Sequence, residues 1–243
     1  MPKSIAGPPE SATHIDVALL PERVLPPGAH GRLLCAAVEL FAARGYHGVS
    51  VRDLATAMGV KASSVYAHYA SKEELFCRVV SVANEEISHR LRDALLAADP
   101  HPARTLADVI GAYITFHADY PLLATVGHND LHVLAGPSLH RVIQLRKQAV
   151  ELVLSIVERG NATGDFACDK PHLAVAAIAG MGIRVASWYR APDRSWDRSV
   201  DSYAEVMAED LPVYSVQELA EEYTQYVLAL VRCRALPGRD LVL

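Results

Sequence analysis

Several absences narrow the chain before any motif is considered. No apolar run approaches the ~18 residues needed to span a bilayer. The opening segment, residues 1–30, lacks a basic stretch followed by a sustained apolar core, so no secretory leader is expected. Cysteine is sparse: Cys35, Cys77, Cys168 and Cys233 lie far apart with no CxxC pair. Free thiols in a reducing cytoplasm fit that spacing better than a disulfide or a zinc site. There is no glycine-rich phosphate loop, no GxSxG elbow and no cysteine nucleophile in a recognisable setting. Convincing period-two alternation and internal repeats are missing as well.

Basic charge is also scarce overall, with a formal net charge of −5 over 243 residues. Its distribution is uneven, which matters more than the total for a nucleic-acid partner. Residues 30–80 balance to +2 before counting His30, His47 and His68, whereas residues 1–29 balance to −1 and residues 81–243 to −6. The one positive segment is therefore short and sits near the N-terminus. At 26.3 kDa the chain is long enough to bury a substantial core.

Helical periodicity dominates from Gly31 onward. Leu33, Leu34, Ala37, Val38, Leu40 and Phe41 recur at three- and four-residue spacing until Gly45. Ser50 with Asp53 reads as a capped start of a second, short helix that Gly59 closes. A third short helix is expected over residues 62–69. Ser71 with Glu74 opens a long fourth one reaching about Ala98, before Pro100 and Pro102. Further helical runs are expected near 102–118, 121–134, 138–160, 170–190 and 215–234. The fold class is all-α. Residues 1–29, rich in proline, read as a flexible arm with one helical turn near Ile15–Leu20. Residues 30–76 read as a small head and residues 77–243 as a larger helical domain.

Two short helices joined by GVKA and preceded by a longer helix match a helix-turn-helix. Gly59 gives the backbone freedom for the turn, while Leu54, Ala55, Met58, Val60 and Val65 supply its apolar lock. Residues 33–76, with Phe41–Gly45, SVRDLA at 50–55, Gly59-Val60 and the Tyr66-x-His68-Tyr69-x-Ser71-Lys72 run, resemble the DNA-binding domain of the TetR family of bacterial transcriptional regulators. That resemblance implies phosphate contacts from Ser50, Tyr66, His68 and Lys72. It implies base-edge contacts from Arg52, Lys61, Ser63 and Ser64, with Ala62 offering a methyl contact. Arg52 suits guanine O6 and N7, against the alternative of a surface ion pair. Tyr69 is expected in the head's core. Partners implied are a double-stranded, palindromic operator, a small-molecule inducer and a second copy of the chain. No membrane, cofactor or metal is expected.

The larger domain would carry the ligand pocket and the dimer surface. LAVAAIAGMGIRVASWY at 173–189 and LAEEYTQYVLALV at 219–231 are the candidate dimer helices. Candidate pocket residues are Tyr113, Phe116, His117, Tyr120, His128, His132, Arg141 and Gln144, joined by Met181, Arg184 and Trp188. Arg184 is an isolated cation in an apolar helix, expected to be buried against an anion. GMGIRVASWYRAPDRS also resembles relatives that control lipid or steroid catabolism, where the inducer is an acyl-CoA thioester. Residues 196–214 are an extra segment relative to that type. Two other readings stay open: a ligand-binding helical protein without specific DNA reading, and a metal enzyme using His128 and His132 of HNDLH.

Overall fold

The computed structural model describes residues 19–189 and 214–232. Residues 1–18 of the expected arm, residues 196–213 of the extra segment 196–214, and Cys233 lie outside the described residues. Nine α-helices are described: α1 (Gly28–Arg44), α2 (Val51–Ala57), α3 (Ala62–Tyr66), α4 (Lys72–Ala97), α5 (Pro102–Asp119), α6 (Pro121–His128), α7 (Gly136–Thr163), α8 (Pro171–Trp188) and α9 (Val216–Leu230). Short 3-10 turns occupy Glu22–Val24 and Leu131–Val133. Among the described residues there is no strand, in keeping with the all-α expectation, and no helix long and apolar enough to cross a membrane.

Local chemistry sets most boundaries. Ser50 and Asp53 form a reciprocal capping box at α2, Ser215 and Glu218 do the same at α9, and Ser71 caps α4 through the Glu74 amide. Helix α2 ends in a Schellman arrangement: the Gly59 amide donates to Thr56, the Val60 amide donates to Ala55, and Gly59 adopts φ +65. Pro102, Pro121 and Pro171 each occupy a helix's first turn, where the missing N–H costs nothing.

Helices α1–α3 and the first turns of α4 make the head. Leu33, Leu34, Ala37, Val38, Phe41, Leu54, Val65, Tyr69, Leu75 and Phe76 bury its core. Tyr69 is indeed inside, its hydroxyl 2.7 Å from His30 Nε2. Helix α4 then continues into the larger body, packing on α5, α6 and α7. The described part of the expected arm differs from a free tail. Leu19 and Leu20 are buried, and Arg23 reaches the buried Glu86 carboxylate at 2.6 Å. Glu86 also receives Arg90 at 2.8 Å, which continues to Asp119 at 3.0 Å. A buried carboxylate flanked by two guanidiniums supplies the reason this stretch folds back.

Helix lengths differ modestly from expectation. The run expected over 121–134 divides at His128, because Asp130 takes left-handed backbone (φ 51) and turns the chain. The third helix is shorter than 62–69, ending at Tyr66.

Candidate functional site

On the head, α3 presents Lys61 at its N-cap and Ser63, Ser64 and Tyr66 exposed along one side, while Ala62 is half-buried and Val65 anchors the opposite side in the core. Arg52 is exposed on α2 and has no ion-pair partner among the described residues. Ser50 is committed to the α2 cap, with its backbone N–H donating to Asp53 at 2.7 Å. His68 stacks on His30 with ring centroids 5.3 Å apart. Burial, His68 and Arg78 hold the His30 imidazole below its ordinary pKa.

Lys72 has a task its sequence position did not show. Its Nζ donates to the Tyr46 and Val49 carbonyls, both at 2.8 Å, and sits 3.9 Å from the centroid of the Tyr46 ring. The ammonium therefore ties the start of α4 to the α1–α2 connection and sets the head's internal angle.

In the larger body, helices α4, α5, α7 and α8, with His128 at the end of α6, line a cavity of about 230 Å³ that opens to solvent past Val150 and Ile183. Ile87, Leu91, Ile110, Val153, Val175 and Ile178 give it apolar walls. Its polar groups are Asn84, Tyr113, His128 and Arg146. Tyr113 is fixed by its hydroxyl donating to the Ala179 carbonyl at 3.0 Å, and burial raises its phenol above the ordinary value. A larger recess of about 1110 Å³ between α5 and α9, with Asp99, Arg104, Asp108, Glu221 and Glu222 along it, is broadly open to solvent and mixed in charge.

A buried histidine pair backs the cavity. His117 Nδ1 lies 2.8 Å from the Tyr113 carbonyl, which can only accept, so that nitrogen carries the proton. His128 Nδ1 faces Arg146 Nη2 at 3.4 Å, which can only donate, so the His128 proton is on Nε2. The two Nε2 atoms are 3.3 Å apart, giving a neutral pair in which His128 donates to His117. Burial drives His117 to a pKa of about 4, and burial together with His117 and Arg146 drives His128 to about 3.

Of the residues named from sequence, Tyr113 and His128 line the cavity, with His117 directly behind them and Phe116 and Tyr120 in the adjoining core beneath Arg90. Met181 and Trp188 are half-buried on α8, outside the cavity lining. Arg141 and Gln144 are exposed, off the buried face of α7, and Arg141 pairs with Glu85 at 2.7 Å. Arg184 is exposed, contrary to the expected burial. The apolar run of α8 covers two faces, one packed and one carrying the uncovered Leu173 and Ile183, so apolar neighbours in sequence did not place Arg184 inside. His132 is exposed too, its ring 5.7 Å from that of His47 on the head. His128 and His132 therefore do not share a helical face, and among the described residues no group of three metal-ligating side chains assembles.

Sequence reading passed over Arg146 and Asn84. Arg146 is four residues beyond Val142 and seven before Val153, both buried, which places it on the inward stripe of α7. That register is the signal that could have found it.

A helix-turn-helix head joined through one long helix to a larger helical body with a largely apolar cavity defines a ligand-regulated type of DNA-binding protein. Residues 33–79 match the family model described as bacterial regulatory proteins, tetR family, and residues 99–209 match that of the tetracyclin repressor-like C-terminal domain. The chain belongs to the TetR family. Among similar curated proteins is the transcriptional repressor KstR2 of Rhodococcus jostii, 26% identical over 164 residues that cover 67% of this chain and 80% of the relative. A tetR-family regulatory protein from Rhodococcus RHA1 superposes with a TM-score of 0.72 at 25% identity, covering 86% of this chain and 99% of that one. The structure of AibR with isovaleryl coenzyme A and operator DNA superposes with a TM-score of 0.66 over 84% of this chain and 98% of that one; at 16% identity this likeness speaks for the fold.

Proposed function

We propose that this protein is a homodimeric transcriptional regulator, a repressor that leaves a palindromic operator when a small apolar molecule enters the α4–α8 cavity. One observation carries the reading: α4 is shared. Its first residue, Lys72, fixes the head's internal angle, while Asn84, Ile87 and Leu91 farther along the same helix form the cavity wall. A ligand that shifts α4 thereby shifts the head, and it changes DNA affinity to the extent that it prefers one arrangement. A second connection runs through the α6–α7 segment. His128 lines the cavity, and two residues later the Asp130 carboxylate accepts the Tyr46 amide of the head at 2.8 Å.

In this reading Arg52, Lys61, Ser63 and Ser64 face base edges, Ala62 contacts a thymine methyl, and Ser50, Tyr66, His68 and Lys72 lie along the phosphates. Leu173 on α8 and Tyr226 and Leu230 on α9, all exposed apolar residues, form the dimer face. Two heads then meet successive major grooves. The protein acts in the cytoplasm and catalyses no reaction, as its regulator relatives suggest. The AibR complex with isovaleryl coenzyme A is a precedent within this fold for an acyl-CoA or a related hydrophobic anion as inducer.

The test is selection of genomic DNA fragments by the purified protein beside Arg52→Ala/Tyr66→Ala. That control leaves the Lys72 clamp intact, so loss of binding reports the reading surface and not the head's fold. Recovery of one palindromic site by the wild type alone supports the proposal. Equal, salt-sensitive recovery of all fragments by both proteins refutes specific reading and favours a ligand-binding protein without an operator.

A further inference from the structure

We propose that the α4–α8 cavity binds the anionic end of a small apolar molecule, with the Arg146 guanidinium as its charge partner. Arg146 is half-buried in the cavity lining, which contains no Asp or Glu. Several other arginines of the body pair with carboxylates: Arg78 and Arg141 with Glu85, Arg90 with Glu86 and Asp119, and Arg104 with Asp99. Arg92 and Arg159 donate to the Ser88 and Thr105 hydroxyls, away from the cavity lining. Arg146 meets neutral acceptors only. Nε donates to Asn84 Oδ1 at 2.9 Å, and Nη2 donates to the Gly127 carbonyl and faces His128 Nδ1.

Those bonds aim the guanidinium without neutralising it, and Nη1 has no acceptor among the described residues. The neighbouring titratable groups add no negative charge, since His117 and His128 form a neutral pair and Tyr113 holds its proton. Helix α8 contributes only apolar side chains such as Val175 and Ile178. A cation held partly out of water in a largely apolar cleft is stabilised by an incoming oxyanion, and a planar fork suits a carboxylate or phosphate. A largely apolar cavity of about 230 Å³ has walls suited to an acyl chain.

This assignment rests on the reading of the cavity as the ligand site, and its test needs no DNA. Loss of operator selection and loss of anion preference would therefore be separate results. Isothermal titration of the full chain uses octanoate, octanol and octanoyl-CoA as probes, with Arg146→Lys and Arg146→Met as variants. Octanoate should bind at least about tenfold more tightly than octanol, as expected for a charge-assisted contact. Arg146→Met should abolish that preference, and Arg146→Lys should retain part of it. If octanoyl-CoA binds most tightly and Arg146→Met removes its advantage, the oxyanion is a phosphate of the thioester carrier rather than a free carboxylate. Equal binding of octanoate and octanol to the wild type overturns the proposal, whether or not the variants fold. So does the absence of any binding by octanoate and octanoyl-CoA. An anion preference that survives in Arg146→Met overturns it as well.

Discussion

Lowering the pH from 7 to 5 should cost the folded protein about 4 kcal/mol through His117 and His128, about 2 kcal/mol for each. Their folded pKa values of about 4 and about 3 lie below the ~6.5 of an unfolded histidine. As the pH falls, the unfolded chain therefore takes up protons that the native pair refuses. The stability held by the neutral pair is intact above pH ~6.5 and declines progressively down to about pH 3–4, where the native pair itself protonates. Coupling strengthens the refusal, because a proton on either ring would face its partner and Arg146. The carboxylates held low by hydrogen bonds, Asp53, Asp99 and Glu218, respond at more acidic pH and stay outside this window. His30 is shifted in the same direction, and its contribution cancels between proteins that retain it. The assay is urea unfolding at fixed protein concentration at pH 7, 6 and 5, for the wild type and His117→Gln/His128→Gln. The wild type should lose several kcal/mol and the double variant markedly less. Equal losses would refute the neutral pair and the tautomers assigned to it.

Three other outcomes follow from named contacts. Gly182→Ala places a Cβ 2.1 Å from Tyr113 Cε1, against a ring anchored to Ala179, and should lower stability by about 1–3 kcal/mol in thermal melts. Tyr113→Leu should recover part of that loss in the same chain. Lys72→Met removes two charged hydrogen bonds to the Tyr46 and Val49 carbonyls and should cost about 2–4 kcal/mol; amide exchange in residues 45–50 should rise, and an unchanged exchange pattern would contradict the clamp. Tyr226→Glu/Leu230→Glu puts charge on the exposed apolar face of α9 and should shift sedimentation toward monomer with unchanged helicity; a dimer that persists would place the interface elsewhere.

Much of the fold was readable because short-range rules decide it. The α2 capping box, the Gly59 turn and the prolines opening α5 and α6 depend on residues a few positions apart, and the structure follows them closely. The packed stretch Leu19–Val24 was not readable, because its reason lies across the chain in Glu86. The cavity was read only in part, for a related cause. Aromatic and polar residues attract attention one at a time, yet membership of a cavity depends on helical phase. Gln144 and Arg146 stand two positions apart on α7, and two positions turn the side chain by more than half a circle, from solvent to chamber. Arg184 shows the converse. Continuous apolar sequence along α8 concealed that one of its faces is uncovered in a single chain.

HNDLH shows how function and backbone geometry can be confused at short spacing. Two histidines four apart would share a helix face if the helix continued. It stops at His128, and the left-handed backbone of Asp130 sends the next turn toward the head. One histidine then belongs to the cavity and the other stacks on His47. Between them, Asp130 accepts the amide of Tyr46, the residue whose carbonyl and ring Lys72 also grips. The α1–α2 connection is thus held from two sides, by the start of α4 and by the segment leaving the cavity wall. Both attachments lead back to groups around Arg146: Asn84 on α4, and Gly127 and His128 at the end of α6. An anion that draws the guanidinium away would loosen its hold on α4 and α6 together. In the proposed mechanism, coupling would run through this one polar cluster, whose partners lie on the two elements attached to the α1–α2 connection.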